Sequence, residues 1–149
     1  MDSIWLTGAE WLALLRIGLG LWWLESWRHK DKKGWFERGT GIAWAADVAA
    51  KHRWNAVRSG FETVVAPRPR TMAYVVVYAE LAVGLGLVAG LLTPVALVGG
   101  LLLNVLYFTL MIHDWAEQGQ NAMMGLISVV ALFGMSWQEW SLDAVVGFF

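Results

Sequence analysis

The sequence predicts an all-α integral membrane protein, a four-transmembrane-helix bundle with a long cytoplasmic loop between helices 1 and 2. Three observations predict it. Hydrophobic residues make up 58% of the 149-residue chain and charged residues only 15%, a balance too apolar for a water-soluble domain of this size. Four segments have the apolar character of membrane helices. Ten of the eleven Lys and Arg residues fall in one connection, residues 28–71, the exception being Arg16. The length suits one domain, so residues 1–149 are read as a single membrane domain.

The first span, about 5–27, contains "WLALLRIGLGLWWLESW". The second, "MAYVVVYAELAVGLGLVAGLL", covers about 72–92, and the third, "PVALVGGLLLNVLYFTLMIH", about 94–113. Each of these is about twenty residues, or roughly 30 Å as helix, which matches the hydrocarbon core. The fourth, about 121–137, opens with "NAMMGLISVVALFGM" and is shorter, with Trp137 and Trp140 to anchor its end. Helices satisfy their own backbone in lipid, and nothing here alternates as barrel strands do. The start, "MDSIWLTGAEW", lacks a positive n-region and a small-residue cleavage site, so the first span is expected to be retained. The eleven tryptophans suit an aromatic belt where membrane meets water.

The cation-rich loop 28–71 is expected on the cytoplasmic side, with both termini and the "LLTP" turn outside and "HDWAEQGQ" inside. Within it, Ala43, Ala46, Ala50, Trp54, Val57 and Phe61 share one side of a helical wheel. That stripe fits either a helix lying in the interface or a soluble cap over the bundle. Pro67 and Pro69 end it before the second span.

Other signals narrow the chemistry. The chain has no cysteine, which excludes disulfides, thiolate catalysis, an iron–sulfur cluster and covalent haem. A net charge of −1 gives no sign of a nucleic-acid partner, and none is expected. Gly86 and Gly90 form a GxxxG that suits close helix packing. No inverted repeat suggests a transporter.

Centring each span on the midplane puts Arg16, Glu80, Asn104 and Ser128 at one depth. Each has a glycine on the same helical stripe: Gly20, Gly84, Gly100 and Gly125. The expectation is an intramembrane polar cluster in which Arg16 neutralises Glu80 and Asn104 satisfies what remains. An unpaired charge at this depth costs at least ~2.5 kcal/mol. Such a pair is either a structural pin or part of a proton path or quinone-facing site; the lack of a second intramembrane carboxylate favours the pin.

A second cluster gathers at the cytoplasmic end, where His29, His52 and His113 all fall. His29, His113, Trp23, Trp115 and Tyr107 are the candidate quinone-binding residues, with Asp31, Asp114, Glu117, Trp22 and Trp27 nearby. A quinone headgroup needs a donor for each carbonyl and an aromatic slot for its ring. The same residues also fit an aromatic belt with snorkelling bases. No HxxxH or ExxH spacing supports a metal site.

"LLRIGLGLWW" near the start, "YAELAVGLGLVAGLLTP" in the second span and the closing "WSLDAVVG" resemble the DoxX/DoxD-like membrane family along nearly the whole chain. The resemblance implies a multi-pass four-helix bundle in a bacterial or archaeal cytoplasmic membrane. It carries over Arg16 and Glu80 as an intramembrane polar pair and Ser141 to Asp143 as a closing motif. Some members of that family are the membrane subunit of thiosulfate:quinone oxidoreductase, and others associate with redox or oxidative-stress partners. After the first span this chain reads "ESWRHK", where relatives often have a glycine and then a lysine.

Two functions are therefore expected. One is a quinone-linked redox membrane subunit, with quinone as its cofactor and a partner subunit to carry electrons; no catalytic residue is assigned. The other is a non-catalytic accessory subunit of a larger respiratory or photosynthetic complex, held by lipid and by other membrane subunits.

Overall fold

The computed structural model describes residues 6–149; Trp5, where the first span is expected to begin, lies outside them. The helices are α1 (Gly8–His29), α2 (Thr40–Ala50), α3 (Asn55–Gly60), α4 (Pro69–Ala89), α5 (Thr93–Leu110), α6 (Trp115–Phe133) and α7 (Leu142–Val146). Wide π-type turns occupy Gly34–Arg38 and Phe61–Val65, and the described residues contain no strand.

The helix ends follow local chemistry. Thr7 and Glu10 form a capping box at the start of α1, the Thr7 N–H donating to the Glu10 carboxylate at 2.7 Å. Prolines stand in the first turns of α4 and α5, where a missing N–H costs nothing. Asp114 caps α6 by accepting from the Ala116 and Glu117 amides. Gly90, at φ 64°, ends α4 in the left-handed region, where a side chain is strained.

The four long helices form a closed ring: α1 on α4, α4 on α5, α5 on α6, and α6 back on α1. Glycines set the closest approach. A Cβ on Gly20 would stand 2.8 Å from the Val88 nitrogen, and one on Gly84 2.7 Å from a Leu24 methyl carbon. Position 20 therefore faces 88 and position 24 faces 84. On that register Glu80 is level with the last turn of α1, and Arg16 is level with the turn beyond the end of α4. The first three turns of α4 run past α1 and pack on the loop, where Phe36 stacks on Tyr74 at 4.3 Å.

Leu19, Trp23, Val83, Leu87, Leu97, Met124 and Ala131 make the core. Arg16, Glu80, Asn104, Asn121, Ser128 and Asp143 are buried among the helices, while Trp11, Leu15, Leu21, Leu85, Leu102, Leu126 and Phe133 face outward. The molecule is thus apolar outside and carries its buried polar groups within. Among the described residues, α4 and α5 are the two helices long and apolar enough to cross a membrane. Glu10, Arg16 and Glu25 lower the hydropathy of α1, and the polar start "WAEQGQN" lowers that of α6.

The loop packs over one end of the bundle against α4 and α5. The single stripe from Ala43 to Phe61 does not form: Ile42 and Ala49 are the buried residues of α2, and Ala43, Ala50 and Trp54 are exposed. The chain breaks between α2 and α3 at His52, which is 1% exposed. Its Nδ1 accepts the Trp54 N–H at 3.0 Å, so the neutral ring carries its proton on Nε2, 3.0 Å from the Thr109 carbonyl oxygen. Arg58 donates to the His52 carbonyl. These bonds lock the loop to the end of α5.

Candidate functional site

Beneath the loop lies a cavity of about 280 Å³. The last turns of α1 contribute Trp22, Trp23 and Ser26; the loop adds Lys30, Trp35 and Trp44. Glu80 enters from α4, Tyr107 and Met111 from α5 and its end, and Asp114, Glu117, Asn121 and Met124 from α6 and its cap. Every helix of the bundle supplies part of the wall.

Glu80 is fully buried. The Tyr107 hydroxyl donates to its Oε1 at 2.6 Å. Lys30 Nζ stands 2.6 Å from Oε2, an ion-pair contact whose angle falls short of a hydrogen bond. Lys30 follows directly after α1, which aims its side chain back under the loop. There its ammonium donates to Ser26 Oγ at 3.2 Å and lies 5.3 Å from the centre of the Trp35 ring. Trp23 and Tyr107 sit with ring centres 6.4 Å apart. A buried carboxylate flanked in this way has a donor on one oxygen and a cation against the other.

The expected Arg16–Glu80 pair is not formed. Arg16 donates to the Ser136 carbonyl at 3.2 Å and to the Trp140 carbonyl at 2.6 Å, and the carboxylate acting on it is Asp143. Asp143 in turn accepts from the Leu92 and Thr93 amides at 2.8 and 2.7 Å, capping α5, and its own N–H donates to the Gly90 carbonyl at 2.8 Å. The two acids thus serve opposite ends of the bundle. The register explains it: Arg16 and the level of Glu80 lie twelve residues apart along α1, about 18 Å. Equal centring of the spans hid this offset.

The other midplane residues do not join the two. Ser128 donates to the Met124 carbonyl of its own helix at 2.9 Å. Asn104 is buried close to Gly125, and neither of its amide atoms has a hydrogen-bond partner among the described residues. The four-residue polar cluster is therefore corrected to two separate networks plus an isolated amide.

Of the five candidate quinone contacts, Trp23 and Tyr107 line the cavity; His29, His113 and Trp115 do not. The His29 side chain is 65% exposed, with Nδ1 3.2 Å from a Glu25 carboxylate oxygen. His113 is exposed, and Trp115 is 84% exposed. Each sits at a helix end with its side chain turned outward. The same Glu25 bonds Arg28 at 2.7 Å and holds that guanidinium's pKa above its ordinary value. The sequence reading missed Lys30, Trp35 and Trp44. Their signal was available, since Lys30 is one residue past α1 and two indoles follow within fifteen positions. Among the described residues no group of three His, Asp or Glu side chains could share a metal ion.

No family model, curated protein or solved structure matches the chain. What the site does has to be argued from its own chemistry. Its polar groups are the Lys30 ammonium, the Tyr107 phenol bonded to Glu80, the Ser26 hydroxyl, the Gln120 and Asn121 amides and the carboxylates of Glu80, Asp114 and Glu117, and four tryptophans share the wall with them.

Proposed function

We propose that the chain crosses a cytoplasmic membrane four times and binds the ring of a lipid quinone under its loop. It then serves as the membrane subunit of a quinone-dependent oxidoreductase whose partner protein donates the electrons. One observation carries this reading: Lys30, Glu80 and Tyr107 converge on the wall of a cavity to which Trp22, Trp23, Trp35 and Trp44 also contribute. Flat indole walls suit a planar ring, and the Lys30 ammonium, with a third hydrogen beyond those facing Ser26 and Glu80, suits a carbonyl oxygen. Asp114 and Glu117 add negative charge to that of Glu80, with Lys30 as the one cation in the wall, so a neutral head is favoured over an anionic one.

A bound quinone supplies a couple that takes up two electrons and two protons. The chain's own part is to orient the ring. Lys30 can donate a hydrogen bond to the ring, Glu80 holds Lys30 and Tyr107 in place, and Asp114 and Glu117 line the same cavity from its exposed rim. The outward apolar residues of all four long helices support a lipid setting. The ten loop cations support a cytoplasmic loop with both ends of the chain outside. The resemblance to DoxX/DoxD-like proteins points the same way.

The test is titration of the purified protein with a tail-less benzoquinone and naphthoquinone, followed by tryptophan fluorescence. Saturable quenching that is lost in Lys30→Met and Glu80→Gln is expected. Linear quenching, unchanged by either substitution, would refute the reading.

A second reading, an accessory subunit without chemistry, draws on a different feature. The groove of about 740 Å³ between α4 and α5 is lined by apolar residues, with Ala79, Ala82, Gly86, Ala89, Ala96 and Gly99 interspersed among leucines and valines. Small residues of this kind let a neighbouring helix approach closely.

A further inference from the structure

We infer that the seam between α1 and α6 receives the isoprenoid tail of the quinone and is its lateral passage from the lipid. This rests on the quinone reading above and adds the tail and its route. The seam holds a groove of about 290 Å³ lined only by apolar residues and glycine, among them Leu15, Gly18, Leu19 and Ile127. It shares Trp22 and Met124 with the headgroup cavity, so only those side chains stand between the two spaces where they adjoin. A Cβ on Gly18 would meet nothing within 4 Å, which marks open space at the groove. The α1–α6 and α4–α5 seams are both packed more loosely than α1–α4 and α5–α6. Cavity and groove together fall within the roughly 300–1,000 Å³ usual for small-molecule sites.

The adjoining polar and apolar spaces match a ligand with a polar ring and a hydrocarbon chain. The alternatives fit less well. The larger α4–α5 groove shares no lining residue with the headgroup cavity. The α5–α6 groove meets it only at Asn121, whose amide is already bonded to the Glu117 carbonyl at 2.8 Å. A single-chain lipid with an anionic head would place its charge against Glu80, Asp114 and Glu117, with Lys30 as the one cation.

The experiment compares two probes in nanodiscs of fixed lipid content: a tail-less quinone and the same ring carrying a four-isoprene tail. Binding is read by tryptophan quenching for the unaltered chain, for Gly18→Phe, and for Leu102→Phe in the α4–α5 groove. At equal concentration in the bilayer the unaltered chain should bind the tailed probe severalfold more tightly, through packing contacts of the tail in the groove rather than transfer from water. Gly18→Phe should abolish that advantage and leave the tail-less constant within about twofold. Leu102→Phe should change neither. Equal binding of the two probes overturns the passage, as does a tail advantage that survives Gly18→Phe or is lost in Leu102→Phe. If Gly18→Phe weakens both probes alike, Ile127→Phe at the same groove repeats the comparison, and the same uniform loss there also overturns the passage. Failure of the tail-less probe to bind the unaltered chain would instead refute the quinone reading itself.

Discussion

Lys30 Nζ and Glu80 Oε2 stand 2.6 Å apart, joining the residue that follows α1 to the buried acid of α4. The lysine side chain is 15% exposed and the glutamate fully buried, so the loop end of the bundle holds its acid by a cation from the cap. Removing one partner strands the other.

Lys30→Met is therefore expected to destabilise by about 3–5 kcal/mol, and adding Glu80→Gln to recover much of that loss. Thermal unfolding in mild detergent gives the coupling through a double-mutant cycle. The parallel cycle of Arg16→Gln with Glu80→Gln should be additive within about 0.3–0.5 kcal/mol, because those groups share no partner. Strong coupling there would contradict the register described above.

Asp143 closes the other end. Asp143→Ala removes two hydrogen bonds from the start of α5 and the carboxylate acting on Arg16, with an expected loss of about 3–5 kcal/mol. Amide exchange should rise locally at Leu92 and Thr93. Ser141→Ala, which loses the cap of α7, should cost about 1 kcal/mol. If Asp143→Ala leaves exchange at Leu92 and Thr93 unchanged, the cap is not what holds that turn.

Two glycines of α1 should respond in opposite ways. Gly20→Ala puts a methyl 2.8 Å from backbone of α4 and is expected to cost about 1–3 kcal/mol. Gly18→Ala meets nothing and should be neutral or stabilising by up to about 1 kcal/mol. Equal melting temperatures for the two variants would count against the close α1–α4 contact.

The absence of cysteine makes the chain a ready background for accessibility mapping. On the proposed topology, an impermeant maleimide added to intact cells should label Gln138→Cys and leave Ser59→Cys unlabelled until the membrane is opened. The reverse pattern would invert the orientation; labelling of both would argue against a four-span chain.

The long helices were legible because their apolar runs and end signals agree. The Thr7–Glu10 box, the prolines of α4 and α5 and Asp114 are all written locally. The partner of Glu80 was not, because it depends on how far α4 slides past α1, and that offset is set by Gly20 and Gly84 fitting against particular residues opposite. The site suffered from the same limit. Tyr107 and Trp23 were found from their position near helix ends, whereas Trp35 and Trp44 reach the cavity only because the loop folds back and is pinned by His52. His29 and His113 have the right chemistry at the right end but point outward, a rotation that composition does not encode.

Arg16 finds its carbonyl acceptors 120 and 124 residues downstream. During translation at about 5–20 residues per second, this guanidinium therefore waits roughly 6–25 s before the chain that will satisfy it has been made. Assembly of the nascent protein has to end where its first helix began, and the leading helix stays provisional until the final tryptophans leave the ribosome.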